Sequence, residues 1–168
     1  EEWTRFSKIE YYAKKYNFII ILPEVQRSFY CDTSYGPRYF TYIADELPEI
    51  CSRWFRLDES RENTFIAGES MGGYGAMKAA LSRPQRFAAA ASLSGALDIV
   101  REAQVILRPE EWRGIFGFEL QDASELRGSC RDLFALTRAH SEAGKAFPRF
   151  YLWCGTEDKL LPCNREYD

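Results

Sequence analysis

Apolar residues recur along the chain at both helical and strand spacings. Over residues 4–16, Phe6, Ile9, Tyr12, Ala13 and Tyr16 follow helical spacing, with Thr4 as candidate N-cap. The run Phe18-Ile19-Ile20-Ile21-Leu22 is continuous, rich in β-branched residues and stopped by Pro23, a pattern that predicts a strand buried on both faces over 17–22. Residues 25–38 are polar, aromatic and turn-rich, with Gly36-Pro37, and read as loop. From 39 to 55, Ile43, Leu47, Ile50 and Trp54 mark one helix face, and Pro48 inside it predicts a kink or the end of the helix's first part. Short strands are predicted over 63–68, 87–93 and 149–154, and a helix over 73–81 that stops near Pro84. Residues 98–147 are mixed and charged, with helical stretches, and form a candidate helical cap. Strands alternating with helices argue one α/β domain, a mostly parallel sheet flanked by helices.

Composition narrows the function classes. The 168 residues are 46% hydrophobic and 28% charged, which is globular and not disordered. A net charge of −3 leaves no basic excess to neutralise phosphates, so nucleic acid is not expected as a partner. Purely apolar runs extend only a few residues, where a membrane span needs about 20, so no membrane partner is expected. Cys31, Cys51, Cys130, Cys154 and Cys163 are odd in number, widely spaced and without a C-x-x-C pair. They read as reduced thiols of a cytoplasmic protein, mostly buried, with Cys154 in the core; no metal site is expected. The chain opens on Glu1 with no basic and apolar leader, so it is expected to begin inside a longer product or after processing.

The segment that carries chemistry is Gly68-Glu69-Ser70-Met71-Gly72, a G-x-S-x-G placed between a predicted strand and a predicted helix. That context is the one a nucleophile elbow requires. The turn is expected to be so tight that a side chain at Gly68 or Gly72 meets neighbouring backbone. Ser70 would sit in strained backbone with its hydroxyl over the end of the sheet. The Met71 amide, at the helix N-terminus, would face a forming oxyanion, and one such donor is worth about 3–4 kcal/mol in the transition state. Two other readings are an idle glycine-rich turn and a phosphate-cradling loop. The second lacks the Gly-Lys-Ser/Thr ending and the G-x-G-x-x-G spacing. A second signal is Gly155-Thr156-Glu157-Asp158, an acid in the turn after an apolar strand, where a triad carboxylate belongs in Ser, acid, His order. Asp158 is the first choice and Glu157 the reserve.

Gly68-Glu-Ser-Met-Gly-Gly-Tyr-Gly-Ala-Met-Lys-Ala-Ala-Leu81, Ser92-Leu-Ser-Gly-Ala-Leu-Asp98 and Gly155-Thr-Glu-Asp158, with Phe29-Tyr30-Cys-Asp-Thr-Ser-Tyr-Gly36 and Tyr42-Ile-Ala-Asp-Glu-Leu-Pro48, resemble the esterase D / tributyrin esterase family of α/β-hydrolases. The resemblance runs in order over nearly the whole chain. Its relatives include S-formylglutathione hydrolases, acetyl-xylan and feruloyl esterases and mycolyl transferases. It implies an α/β-hydrolase fold and a serine esterase acting on short acyl esters, with Ser70 as nucleophile, Met71 as oxyanion amide and Asp158 as triad acid. S-formylglutathione thioester cleavage is the nearest alternative activity, and acyl transfer to an alcohol acceptor is a further option. A non-catalytic hydrolase-like module is the alternative of a different class.

The chain departs from the family pattern in two places. No His-Gly loop for a second oxyanion amide is present, and no histidine follows Asp158. His140 is the only histidine; it precedes the acid and reads as exposed on a surface helix. In the usual strand order of this fold the strand at 17–22 does not neighbour the strand at 63–68, so a further strand is expected between them. The 168 residues are therefore expected to be the central part of a longer domain, lacking its first strands and its histidine segment. Alone they should be nearly inert, because losing the histidine costs about 10⁶ in turnover. Tyr30, Tyr35 and Tyr39 are candidates to line the substrate pocket. The expected partner is a small ester or thioester, oligomerisation is left open, and no cofactor is implied, since serine, histidine and acid suffice for acyl transfer.

Overall fold

A computed structural model describes residues 2–105, 108–117, 120–144 and 146–168. The first expected helix is divided into α1 (Glu2–Phe6) and α2 (Ile9–Tyr16). Ser7 divides it: its hydroxyl donates to the Trp3 carbonyl and accepts from the Ile9 amide at 3.1 Å. Such local bonds compete with the helix ladder. Thr4 lies inside α1 and is not a cap. No residue of α2 is buried. The strand expected over 17–22 does not form. Asn17 turns the chain in the left-handed region (φ 55°), and Phe18 brings its ring within 5.7 Å of Phe65. Among the described residues, however, no ladder joins this run to a strand, and Phe18 to Leu22 all stay exposed. A strand is defined by its neighbour, and an apolar run supplies only half of one.

Residues 39–55 are helical in three parts: α3 (Tyr39–Thr41), a π-helical turn (Tyr42–Glu46) and α4 (Leu47–Phe55). The disturbance expected from Pro48 appears as that π turn, with the Leu47 amide reaching back to the Tyr42 carbonyl. The extra residue rotates the face that follows. Ile43, Ala44 and Cys51 are buried, whereas Ile50 and Trp54, expected on the buried face, are exposed.

The remaining three expected strands form β1 (Phe65–Glu69), β2 (Ala89–Leu93) and β3 (Arg149–Trp153), a parallel sheet in that order. Ala67 pairs with Ala91, and Ala91 with Tyr151. Between β1 and β2 runs α5 (Met71–Ser82), buried continuously over residues 73–81. Its small residues let it lie close on the sheet, where Ala90 and Ser92 face inward and are buried. The alternate positions Phe65, Tyr151 and Trp153 point to the opposite, exposed face.

After β2 come α6 (Ile99–Val105), α7 (Pro109–Phe116), a 3₁₀ turn (Ala123–Leu126) and α8 (Leu133–Glu142); α9 (Leu161–Tyr167) follows β3. Asp98 caps α6 through the Val100 amide at 3.1 Å and pairs with Arg127 at 2.6 Å. Tyr74 on α5 donates to the Arg131 carbonyl at 2.7 Å, just ahead of α8. The cap expected over 98–147 includes 106, 107, 118, 119 and 145, which lie outside the described residues. Cys31, Cys51 and Cys163 are buried and Cys130 is exposed. Cys154, expected in the core, is half-buried, because β3 ends at Trp153 and Cys154 already belongs to the turn. Among the described residues, no helix is long and apolar enough to cross a membrane.

Candidate active site

Ser70 joins the end of β1 to the start of α5 at φ 55° and ψ −117°. A non-glycine residue held there stores about 1–3 kcal/mol of strain. The surrounding hydrogen bonds over-determine it. Its amide donates to the Leu93 carbonyl at 3.0 Å. Its carbonyl accepts from Gly73 and Ala96 at 3.0 Å each and from Tyr74 at 3.3 Å. A β-carbon at Gly68 would lie 2.1 Å from the Gly72 carbonyl oxygen, so the expected collision exists there. It does not exist at Gly72, where a β-carbon would meet only the Tyr30 hydroxyl at 3.5 Å. The neighbour's backbone, and not its own Cβ, sets the limit. Ser70 is exposed, and Met71 opens α5. The Met71 amide is therefore among the first-turn donors that have no acceptor inside the helix, at the positive end of its dipole.

Asp158 lies in the turn between β3 and α9 and is half-buried. Its carboxylate accepts from the Leu160 amide at 2.8 Å. That bond, then the Ser94 hydroxyl and more weakly Lys159, holds the carboxyl below its usual pKa range. Ser70 and Asp158 both follow the C-terminal ends of parallel strands, β1 and β3, with β2 between them. One turn touches both. Leu93 and Ala96 bond the Ser70 backbone, while Ser94 faces the Asp158 carboxylate and donates its amide to the Trp153 carbonyl at 2.6 Å. Ser94 is itself left-handed at φ 46°, and a β-carbon at Gly95 would fall 2.1 Å from Ser92 Oγ. The Ser92–Asp98 segment carries part of the family resemblance, but nothing in its sequence gives Ser94 or Gly95 a role. Glu157 is exposed.

The three tyrosines separate. Phe29 and Tyr30 both stand at φ 48° and turn the loop onto α5. The Tyr30 ring occupies the space a side chain at Gly75 would need, and its hydroxyl lies beside Gly72. Burial and the nearby Glu24 raise its phenol pKa. Tyr35 and Tyr39 instead line a cavity of about 320 Å³ between the 25–38 loop and α7, with Arg27, Glu111 and Ile115. The lining of that cavity includes none of Ser70, Met71 and Asp158.

His140 is 6% exposed, which corrects the expectation of a surface histidine. It lies at the end of α8 against the Phe147 ring, 4.3 Å between centroids, with Nε2 3.4 Å from the Ala146 carbonyl oxygen. Phe147 precedes β3, and its carbonyl accepts from Arg61, which precedes β1, at 3.4 Å. His140 thus stands where the parallel strands begin, while Ser70 and Asp158 stand where they end. Five-residue strands separate those ends by roughly 13 Å at the usual rise. His140 and Ser70 therefore stand at opposite ends of the sheet.

Residues 10–154 match the family model named Esterase. An acetyl esterase of Caldicellulosiruptor saccharolyticus is 31% identical over 176 aligned positions, covering 98% of this chain and 64% of that protein. Among solved structures, the substrate-bound fluorophosphonate-binding serine hydrolase F (FphF) of Staphylococcus aureus superposes with a TM-score of 0.90 at 30% identity. The S-formylglutathione hydrolase FrmB of the same organism, as apoenzyme, superposes with a TM-score of 0.85 at 30% identity. Both alignments cover 98% of this chain and 63% of the other. The chain therefore spans slightly less than two thirds of the length of these relatives.

Proposed function

Since the chain belongs to the Esterase family of α/β-hydrolases, we propose that the whole protein is a serine carboxylesterase cleaving short-chain acyl esters through an acyl-enzyme on Ser70. The observation that carries this reading is the Ser70 backbone, held at φ 55° between the end of a parallel strand and the N-terminus of a buried helix. In the proposed reaction Ser70 Oγ attacks the acyl carbonyl, and the Met71 amide receives the developing oxyanion. The tetrahedral intermediate expels the alcohol, leaving the acyl group on Ser70, and water then releases the acid. Asp158 orients the histidine base and stabilises its imidazolium. That imidazole comes from outside these 168 residues, given where His140 stands. Tyr30 lines the acyl site, and residues 98–147 cap it. No cofactor enters the scheme, and the cysteine usage supports a cytoplasmic setting.

A fluorophosphonate probe on the whole protein tests the scheme. Expected is one adduct on Ser70, lost with esterase activity in Ser70→Ala. Ester turnover that survives Ser70→Ala overturns it.

The likeness to S. aureus FrmB favours one second reading, thioester cleavage of S-formylglutathione. Comparing kcat/KM for S-formylglutathione and p-nitrophenyl acetate separates the two substrates.

A further inference from the structure

Lys78 is the one charged side chain in the buried stretch 73–81 of α5, and it is 4% exposed. Its Nζ donates to the Tyr30 carbonyl oxygen at 3.1 Å and to Cys31 Sγ at 3.0 Å, and it lies 4.7 Å from the centre of the Phe40 ring. Cys31 is 1% exposed, and its sulfur also approaches the Phe29 carbonyl oxygen at 3.2 Å. The Asp32 carboxylate stands close enough to feel the lysine's charge. An amine and a thiol thus touch in a buried site that the proposed hydrolytic chemistry does not use. Three groups lie against the sulfur: a carbonyl oxygen cannot act as a nucleophile towards it, the Tyr74 phenol is held protonated by burial, and the Lys78 nitrogen remains.

We propose that Cys31 and Lys78 form a redox modification site, joined by a sulfur–oxygen–nitrogen bridge when the protein meets hydrogen peroxide. One peroxide oxidises the thiol: a S–O bond forms, the O–O bond breaks, and water leaves a sulfenic acid. A second peroxide oxidises the Lys78 nitrogen to a hydroxylamine: the ammonium gives up a proton to solvent, an N–O bond forms, the O–O bond breaks, and water leaves. The hydroxylamine oxygen then attacks the sulfenic sulfur, and the sulfenic hydroxyl leaves as water. Two peroxides are reduced, three waters form, and the protein gains one oxygen and loses two hydrogens. The bridge fastens the 25–38 loop to α5 and fixes Tyr30 over the elbow. Both atoms are buried, so the reaction waits on local opening and runs slower than oxidation of the exposed Cys130.

The test is peptide mass spectrometry of the whole protein after graded peroxide and blocking of free thiols. Expected is a linked pair of peptides containing Cys31 and Lys78, about 14 Da heavier than their sum. Tryptic cleavage after Lys78 is lost, and dithiothreitol reverses both changes. Cys31→Ala and Lys78→Met each abolish the pair, and the wild-type measurement stands by itself if either variant fails to fold. Recovery of Cys31 as free thiol, sulfinic or sulfonic acid with Lys78 unmodified, at doses and times carried well past complete oxidation of Cys130, overturns the proposal. The readout does not depend on esterase activity.

Discussion

The α-carbon of Gly68 stands so close to Gly72 that a methyl group on it would lie 2.1 Å from the Gly72 carbonyl oxygen. This approach lets β1 turn into α5 within one residue and leaves Ser70 at the apex. The two outer glycines of the motif are therefore not equivalent, although the pattern writes them alike.

Gly68→Ala is expected to destabilise the protein by about 3 kcal/mol or more, since backbone must move to relieve the clash. Gly72→Ala should stay within about 1 kcal/mol, because its β-carbon finds ordinary contact. Gly114→Ala, with nothing within 4 Å and a place inside α7, should gain about 0.5–1 kcal/mol. Urea unfolding of the three variants checks the order; equal losses at 68 and 72 would contradict the geometry.

The Ser70 backbone angle predicts a trade between stability and chemistry. Ser70→Gly removes the penalty of a positive φ and should raise stability by about 1 kcal/mol while abolishing fluorophosphonate labelling. Thermal unfolding of Ser70→Gly beside Ser70→Ala isolates the backbone contribution, as both lose the hydroxyl.

Asp158→Asn should lower kcat of the whole protein about 10⁴-fold if Asp158 orients the base. Its folded-state pKa is depressed, so the ionised carboxylate contributes stability above the unfolded pKa, and that contribution disappears as pH falls through the folded pKa. The difference in melting temperature between wild type and Asp158→Asn is thus expected at neutral pH and should vanish in acid. A constant difference across that range would remove the carboxylate bond as its source.

Glu102 carries the opposite sign. Burial raises its pKa, and Oε2 has no hydrogen-bond partner among the described residues. A raised folded-state pKa means that ionisation costs stability as pH rises above the unfolded carboxylate range. Glu102→Gln should therefore stabilise at neutral pH and give no such gain well below pH 4. Denaturant midpoints at the two pH values measure it, and a gain that is the same at both would discard the titration.

The stretch from β1 to α5 was legible because its determinants are local. Gly68, Ser70 and the small residues of 72–80 specify a strand, a sharp turn and a close-packed helix with little reference to the rest of the chain. Asp158 was legible for a similar reason, an acid one turn beyond an apolar strand. Ser94 and Gly95 were not, since their role comes from contact with Ser70 and Asp158, which are distant in sequence.

Sequence alone determined the parallel α/β order, the elbow at Ser70 and the position of Asp158, because steric limits and turn chemistry act between near neighbours. Tertiary structure decided the rest. It left 17–22 without a ladder, rotated the buried face of 39–55 by one π turn, sent Tyr35 and Tyr39 to a cavity whose lining excludes Ser70, and buried His140 at the opposite end of the sheet. In each case the outcome depends on which distant surface comes alongside, and strand pairing and burial are properties of two partners that a local pattern cannot supply.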